Sequence, residues 1–189
     1  MGTQGLTRPL LPSRGVFRSS DCSAPVPRGT VVSNGQSVGR SIAMTHISGE
    51  VTIDAPVEEV FDLVADERNE PRYNPRIVHA EKLSEGPVGA GSRFVAQPKG
   101  MGRKGEMTLE VLEYERPHRL HNIVRSSYMV VDGTLTFEET GGGTRLRWEW
   151  DMGLVGTMKL MSPVLALIGP RWERRNWVGL KEYMECGRR

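Results

Sequence analysis

The chain predicts an α+β fold in which a curved antiparallel sheet of about seven strands wraps a long C-terminal helix, with two short helices after the first strand. Three observations predict it. Apolar and polar residues alternate with the two-residue period of a half-buried strand in several windows between His46 and Met152. One short amphipathic helical pattern interrupts them directly after the first window. Beyond Gly156 the period shifts to 3.6 residues and stays there.

The first strand is HISGEVTI, where Ile47, Val51 and Ile53 alternate with His46, Ser48, Glu50 and Thr52. DAPVEEVFDLVAD then reads as a short helix. Asp54 or Ala55 is the expected cap, Pro56 suits a first helical position, Glu58 and Glu59 face the positive helix end, and Val57, Val60, Phe61 and Val64 form the apolar stripe. In ERNEPRYNPR, Pro71 and Pro75 each disfavour helix in the preceding residue, which predicts a second short helix or a turn.

From Ile77 to Met152 the strands form a meander punctuated by EGPVGAG, KGMGRKG, ERPHR and TGGG. Met107, Leu109 and Val111 oppose Glu106, Thr108 and Glu110, while Met129, Val131, Leu135 and Phe137 oppose Thr134, Thr136 and Glu138. In RLRWEWDM, Leu146, Trp148, Trp150 and Met152 point one way and Arg145, Arg147, Glu149 and Asp151 the other. Each sheet face is thus expected to be wet outside and apolar inside. In the final helix Met158, Met161, Leu165, Trp172, Gly179, Leu180 and Tyr183 fall near one stripe. Ser162-Pro163 and Gly169-Pro170 are expected to split it into two segments, because proline lacks the backbone donor and clashes with the preceding turn.

The 189 residues suffice for one domain with a substantial core and would be cramped for two. Residues 1–43 are rich in Ser, Gly, Pro and Arg and show no apolar period, so a disordered tail is expected there and a folded domain over 44–189. The tail reads as an accessory segment, as a start assigned too early with Met44 the true beginning, or as an Arg- and Ser-rich organelle transit peptide. Five arginines against Asp21 give it a net charge of +4, so the remainder of this +2 chain carries −2. The folded part therefore offers no electrostatic case for nucleic acid.

Cys22 and Cys186 lie near the two ends, without a CxxC spacing, which fits a reducing, cytoplasmic setting. No apolar run suggests a secretory signal. Leu154 to Gly169 is too short and too interrupted, by Lys159 and Pro163, for a membrane span.

Particular motifs extend the pattern. IDAPVEEVFDLVAD, RYNP, VGAGSRF, YERPHRL and GTLTFEETGGGTRLRWEW, followed by the final helix, resemble the START-like superfamily, also called SRPBCC, in its polyketide cyclase/dehydrase-like branch. The resemblance covers residues 46–185. It implies a helix-grip fold around a ligand cavity. Relatives include aromatic cyclases, lipid and quinone carriers, hormone receptors and stress-response regulators, and the shared scaffold transfers none of these roles by itself.

The chemical candidates are few. Gly100, Gly102 and Gly105 spell GxGxxG, but the alternating EMTLEVLEY that follows reads as a strand where dinucleotide binding needs a helix, so a hairpin tip is expected and no cofactor. His118 and His121, an odd offset apart, face opposite ways in an extended chain, and no metal site is expected. Glu58/Glu59 and Glu138/Glu139 read as solvated pairs, and no GxSxG nucleophile occurs.

Nine methionines, with Met107, Met129, Met152, Met158 and Met161 on expected inner faces, suit an adaptable apolar lining, against the competing reading of plain core. The expected apolar contacts are Phe94, Met107, Leu109, Phe137, Trp148, Trp150, Met158, Met161, Leu165 and Trp172. Tyr73, Arg125 and Tyr128 are the polar candidates, with Arg125 either inward toward an anionic or enolate-bearing ligand or simply solvated. Three functions follow: binding of a small hydrophobic or aromatic molecule between sheet and helix, a cyclase/dehydrase-type enzyme, or a protein-interaction regulator. The last lacks an obvious exposed apolar stripe in its support. Oligomeric state is not legible.

Overall fold

A computed structural model describes residues 44–186; the expected tail, residues 1–43, lies outside the described residues. The strands are β1 Met44–Ile53, β2 Ile77–Lys82, β3 Arg93–Pro98, β4 Met107–Glu115, β5 Arg119–Arg125, β6 Met129–Thr140 and β7 Gly143–Leu154. They form one seven-stranded sheet in the order β1-β7-β6-β5-β4-β3-β2. Every neighbouring pair is antiparallel. Sequence neighbours β1 and β2 are therefore opposite edges, and helix α1 (Val57–Ala65) with the 3₁₀ segment Glu67–Arg72 carries the chain between them. Helix α2, Ser162–Cys186, closes the inner face. This is the helix-grip arrangement.

Local chemistry accounts for the elements. Pro56, with extended backbone, occupies the cap of α1, and no side chain caps the helix, so neither Asp54 nor Ala55 takes that role. Proline fits there because its missing N–H is one of the helix's unpaired donors anyway. Val57, Val60, Phe61 and Val64 are buried as expected. Phe61 makes edge contacts at 5.1 Å with both Tyr114 and Phe137, so α1 fills its end of the sheet with aromatic rings. A bulge between Val111 and Glu113 resets the parity of β4, and this is why Tyr114 joins the inner face already set by Met107, Leu109 and Val111. Gly100 and Gly102 sit at positive φ in the β3–β4 connection, the expected hairpin tip.

Helix α2 departs from expectation. It is one continuous helix through Pro170, and Pro163 lies in its first turn, where a missing N–H costs nothing. The interruption comes earlier, as a 3₁₀ segment over Gly156–Met161. Met158 and Met161 ride on that segment and are 43% and 45% exposed. They do not line the interior. The buried residues of α2 are Gly169, Trp177 and Leu180, whereas Tyr183 is exposed. An exposed apolar stripe does exist, against expectation, in Leu160, Val164 and Leu167.

The anchor of α2 is Trp177, 4% exposed and stacked on Trp148 at 5.8 Å and Trp150 at 6.3 Å. Lys181 Nζ donates to the Thr52 carbonyl at 2.7 Å, and the Asp54 N–H donates to Glu185 Oε1 at 3.0 Å, so the C-terminal half is also tied to the β1 edge. A Cβ added to Gly179 would stand 2.5 Å from the Tyr73 carbonyl oxygen. Only glycine lets α2 press against the end of the 3₁₀ segment Glu67–Arg72. No helix among the described residues is long and apolar enough to cross a membrane.

Candidate functional site

The inner face of the sheet fills unevenly. Phe137, Leu146 and Trp148 mesh with α1 and Trp177 in one core, whereas Ile47, Val131 and Met152 form a smaller cluster. A cavity of about 630 Å³ opens on the inner face, bordered by β3–β7, the 3₁₀ segment Glu67–Arg72 and α2. That is within the range of pockets that hold small organic molecules.

Of the residues expected at a ligand, Tyr73, Phe94, Met107, Leu109, Trp150, Leu165 and Trp172 line this cavity, as does Tyr128. The others stand elsewhere. Phe137 and Trp148 point inward but are consumed by the core, against Phe61 and Trp177 respectively. Met158 and Met161 lie outside for the reason given above. Arg125 is exposed at the end of β5, so the solvated alternative describes its place.

Trp172 is 47% exposed and its ring lies under the Arg76 guanidinium, 5.2 Å from the centroid, while Arg76 Nη2 donates to the Trp172 carbonyl at 2.7 Å. Both residues border the cavity. The position of Trp150 has a different cause. Ile47, Trp150, Gly133, Asn122 and Val111 occupy one rung across five strands. A methyl group at 133 would overlap the six-membered ring of Trp150, so that indole lies across the glycine toward Asn122.

Sequence reasoning missed the polar wall. Glu67, Glu70, Glu173, Asn122 and Asn176 all border the cavity. Trp150 Nε1 donates to Glu173 Oε2 at 3.0 Å, and Asn74 Nδ2 donates to Glu70 Oε1 at 2.8 Å. Glu67 and Glu70 lie side by side on the 3₁₀ segment, close enough that each alters the proton affinity of the other.

Burial pushes the Glu67 carboxyl well above the ordinary carboxylate range, and the charge of Glu70 adds to it. Burial also raises Glu70, against hydrogen bonds from Asn74 and Glu67 and the charge of Arg76. Glu173 is raised by burial and opposed by the Trp150 N–H and Arg76. The Tyr73 hydroxyl is held well above its usual value, first by burial and then by the Glu70 and Glu67 charges, so it stays protonated. Asn122 Oδ1, Asn176 Oδ1 and Trp177 Nε1 are buried without a hydrogen-bond partner. The site therefore combines an apolar chamber with carboxyl groups able to share, donate or accept a proton.

Part of this was detectable. Leu165, Gly169, Glu173, Trp177 and Leu180 follow helical spacing, but the charged member hid the stripe. The histidines form no part of the cavity wall: His121 Nε2 meets Asp132 Oδ1 at 2.7 Å on the outer face, and His118 is in the turn before β5.

Residues 44–185 match the model of the family described as polyketide cyclase / dehydrase and lipid transport. The chain belongs to that family. Solved structures with the same fold support the architecture of this polyketide cyclase/dehydrase family member. The protein TTHA0849 from Thermus thermophilus is 21% identical with a TM-score of 0.63, covering 75% of this chain and 98% of its own. A START superfamily protein from Mycobacterium smegmatis is 15% identical, with a TM-score of 0.61 and coverage of 76% and 98%. The di-domain ARO/CYC BexL from the BE-7585A biosynthetic pathway is 16% identical, with a TM-score of 0.56, covering 74% of this chain and 50% of its own. At these identities the likeness is one of fold alone. No curated protein matches the sequence.

Proposed function

We propose that this polyketide cyclase/dehydrase family member binds a small hydrophobic or aromatic molecule between the sheet and α2. The observation that carries the reading is the cavity of about 630 Å³, walled by Phe94, Leu109, Met107, Leu165 and Trp150. Sealed and dry, that volume would cost on the order of 15 kcal/mol at about 24 cal/mol per Å³. A whole domain has roughly 5–15 kcal/mol of stability. The space therefore holds either water, which the apolar part of the wall solvates poorly, or a guest. The test is native mass spectrometry of freshly purified protein together with titration of a neutral environment-sensitive dye. Saturable dye uptake and a co-purified compound are expected; absence of both would sink the reading.

A second reading, cyclase or dehydrase catalysis, draws support from the Glu67–Glu70 pair beside the chamber. In such a step one carboxyl of the pair, ionised, takes a proton from carbon α to a ligand carbonyl while the other, protonated, gives one to the carbonyl oxygen, leaving an enol and a relocated proton. Product profiles of a reactive poly-β-carbonyl chain test it. Wild-type protein should change the profile and Glu70→Gln should not, with Arg125→Ala as a variant outside the cavity; identical profiles with and without protein would exclude it.

A further inference from the structure

An apolar chamber explains affinity but not orientation, and the polar wall supplies a direction. Glu67 and Glu70 reach the cavity from the 3₁₀ segment, and Glu173 reaches it from α2. Asn176 and Trp177 follow Glu173 by three and four positions, so they share its helix face. Across the cavity, Trp150 donates to Glu173 and leans over Gly133 toward Asn122 on the same rung. Asn122 is 5% exposed, yet its Oδ1 has no partner, and Asn176 Oδ1 is equally unpaired. A buried polar atom without a partner is costly, and the loss is relieved when a ligand supplies the missing donor.

The charged groups of this wall are asymmetric. The titratable residues bordering the cavity are Glu67, Glu70, Tyr73, Arg76, Lys99, Tyr128 and Glu173. Both cations, Arg76 and Lys99, are exposed, and Arg76 is already engaged by the carbonyl and ring of Trp172. The interior is thus rich in acceptors and carboxyls and has no buried cation to receive an anion. An anionic guest would add negative charge beside carboxyls that burial already disfavours as anions, whereas an ammonium supplies inside the wall a counter-charge that Arg76 offers only from its exposed position.

We propose that the cavity is a site for an amphiphilic amine, its ammonium held among Glu67, Glu70 and Glu173 and its apolar body against the methionine- and phenylalanine-lined chamber. The assignment rests on the cavity-binding reading and names the polar end of its ligand. It excludes fatty acids as the preferred guests.

Three probes with one apolar body separate the two readings: decylamine, 1-decanol and decanoate, each displacing neutral Nile red at neutral pH and below micelle formation. The amine should bind about tenfold or more tighter than the alcohol, and the acid should bind most weakly. In Glu173→Gln, and independently in Glu70→Gln, the amine-to-alcohol ratio should fall toward unity, whereas Arg125→Ala should keep the wild-type ratio. Calorimetry in buffers of different ionisation enthalpy should show protons released on amine binding, as the carboxyls ionise around the cation. Equal binding of all three probes would overturn the amine assignment and leave the cavity reading standing. Preferred binding of decanoate, lost in Lys99→Ala, would also overturn it by placing an anionic head at the rim. Failure of every probe to displace the dye overturns both readings.

Discussion

Gly133 decides where the indole of Trp150 lies, because any side chain there occupies the same space as the ring. Gly133→Val should cost about 1–3 kcal/mol by overpacking and break the Trp150–Glu173 hydrogen bond. Chemical denaturation gives the first effect and a shifted tryptophan emission the second. Trp177 matters differently: it is sandwiched near Trp148 and Trp150, so Trp177→Ala should destabilise by about 3–5 kcal/mol in the same assay. The buried carboxyls impose a pH dependence. Glu67, Glu70 and Glu173 are all held above their ordinary range in the folded chain, so folding favours their protonated forms. Their contribution is fully present below the ordinary carboxylate pKa and is lost as pH rises through the raised values. Glu173→Gln should therefore melt higher than wild type near pH 8, with the difference closing toward about pH 4. A constant difference across that range would show that Glu173 is not titrating as a buried group.

At the scale of elements, α2 shows both what periodicity reveals and where it misleads. Its existence was legible from the 3.6-residue period, but its inward face was only partly so: Met158, Met161 and Tyr183 are large and lie outside, whereas the face that turns inward includes Gly169 and Glu173. Hydrophobicity measures the tendency to be buried and is blind to a carboxyl that a cavity wall accommodates. The prolines misled for a related reason. A helix tolerates Pro163 in its first turn, and tertiary packing carries it through Pro170 at the expense of one hydrogen bond. Pro170→Ala should restore that bond and raise stability by about 2 kcal/mol, read from the denaturation midpoint. The sheet was the more legible element. Leu146, Trp148, Trp150 and Met152 all turn inward as their alternation required, whereas the β4 bulge, which brings Tyr114 to Phe61, escaped the pattern.

For the whole molecule, the cavity couples binding to stability. A ligand that occupies only the folded chain raises its stability by about 2.7 kcal/mol at a hundredfold excess over Kd. Saturating decylamine should accordingly raise Tm, and removal of the amine by dialysis should return it. The described strands and α2 all lie within residues 44–186. A chain beginning at Met44 should match the 189-residue chain in Tm and dye affinity, with a drop of several degrees placing structural work in residues 1–43.

Patterning alone determined that this chain builds a one-sided antiparallel sheet and closes it with a helix, because burying one face of each element leaves few other arrangements. It also turned Phe94, Met107, Leu109, Trp150 and Leu165 toward the interior, where they border the cavity, since a strand or helix sorts its large apolar residues by face. It had no means of dividing that inner face between filled core and open chamber, which depends on how Phe61 and Trp177 pack against particular rungs. Nor did it find the carboxyl wall. Glu67, Glu70 and Glu173 come from two segments far apart in the chain, and a charged residue next to a cavity looks in sequence like any other exposed one. Their proximity, and the loss of solvent that changes their proton affinity, exist only once the chain is folded.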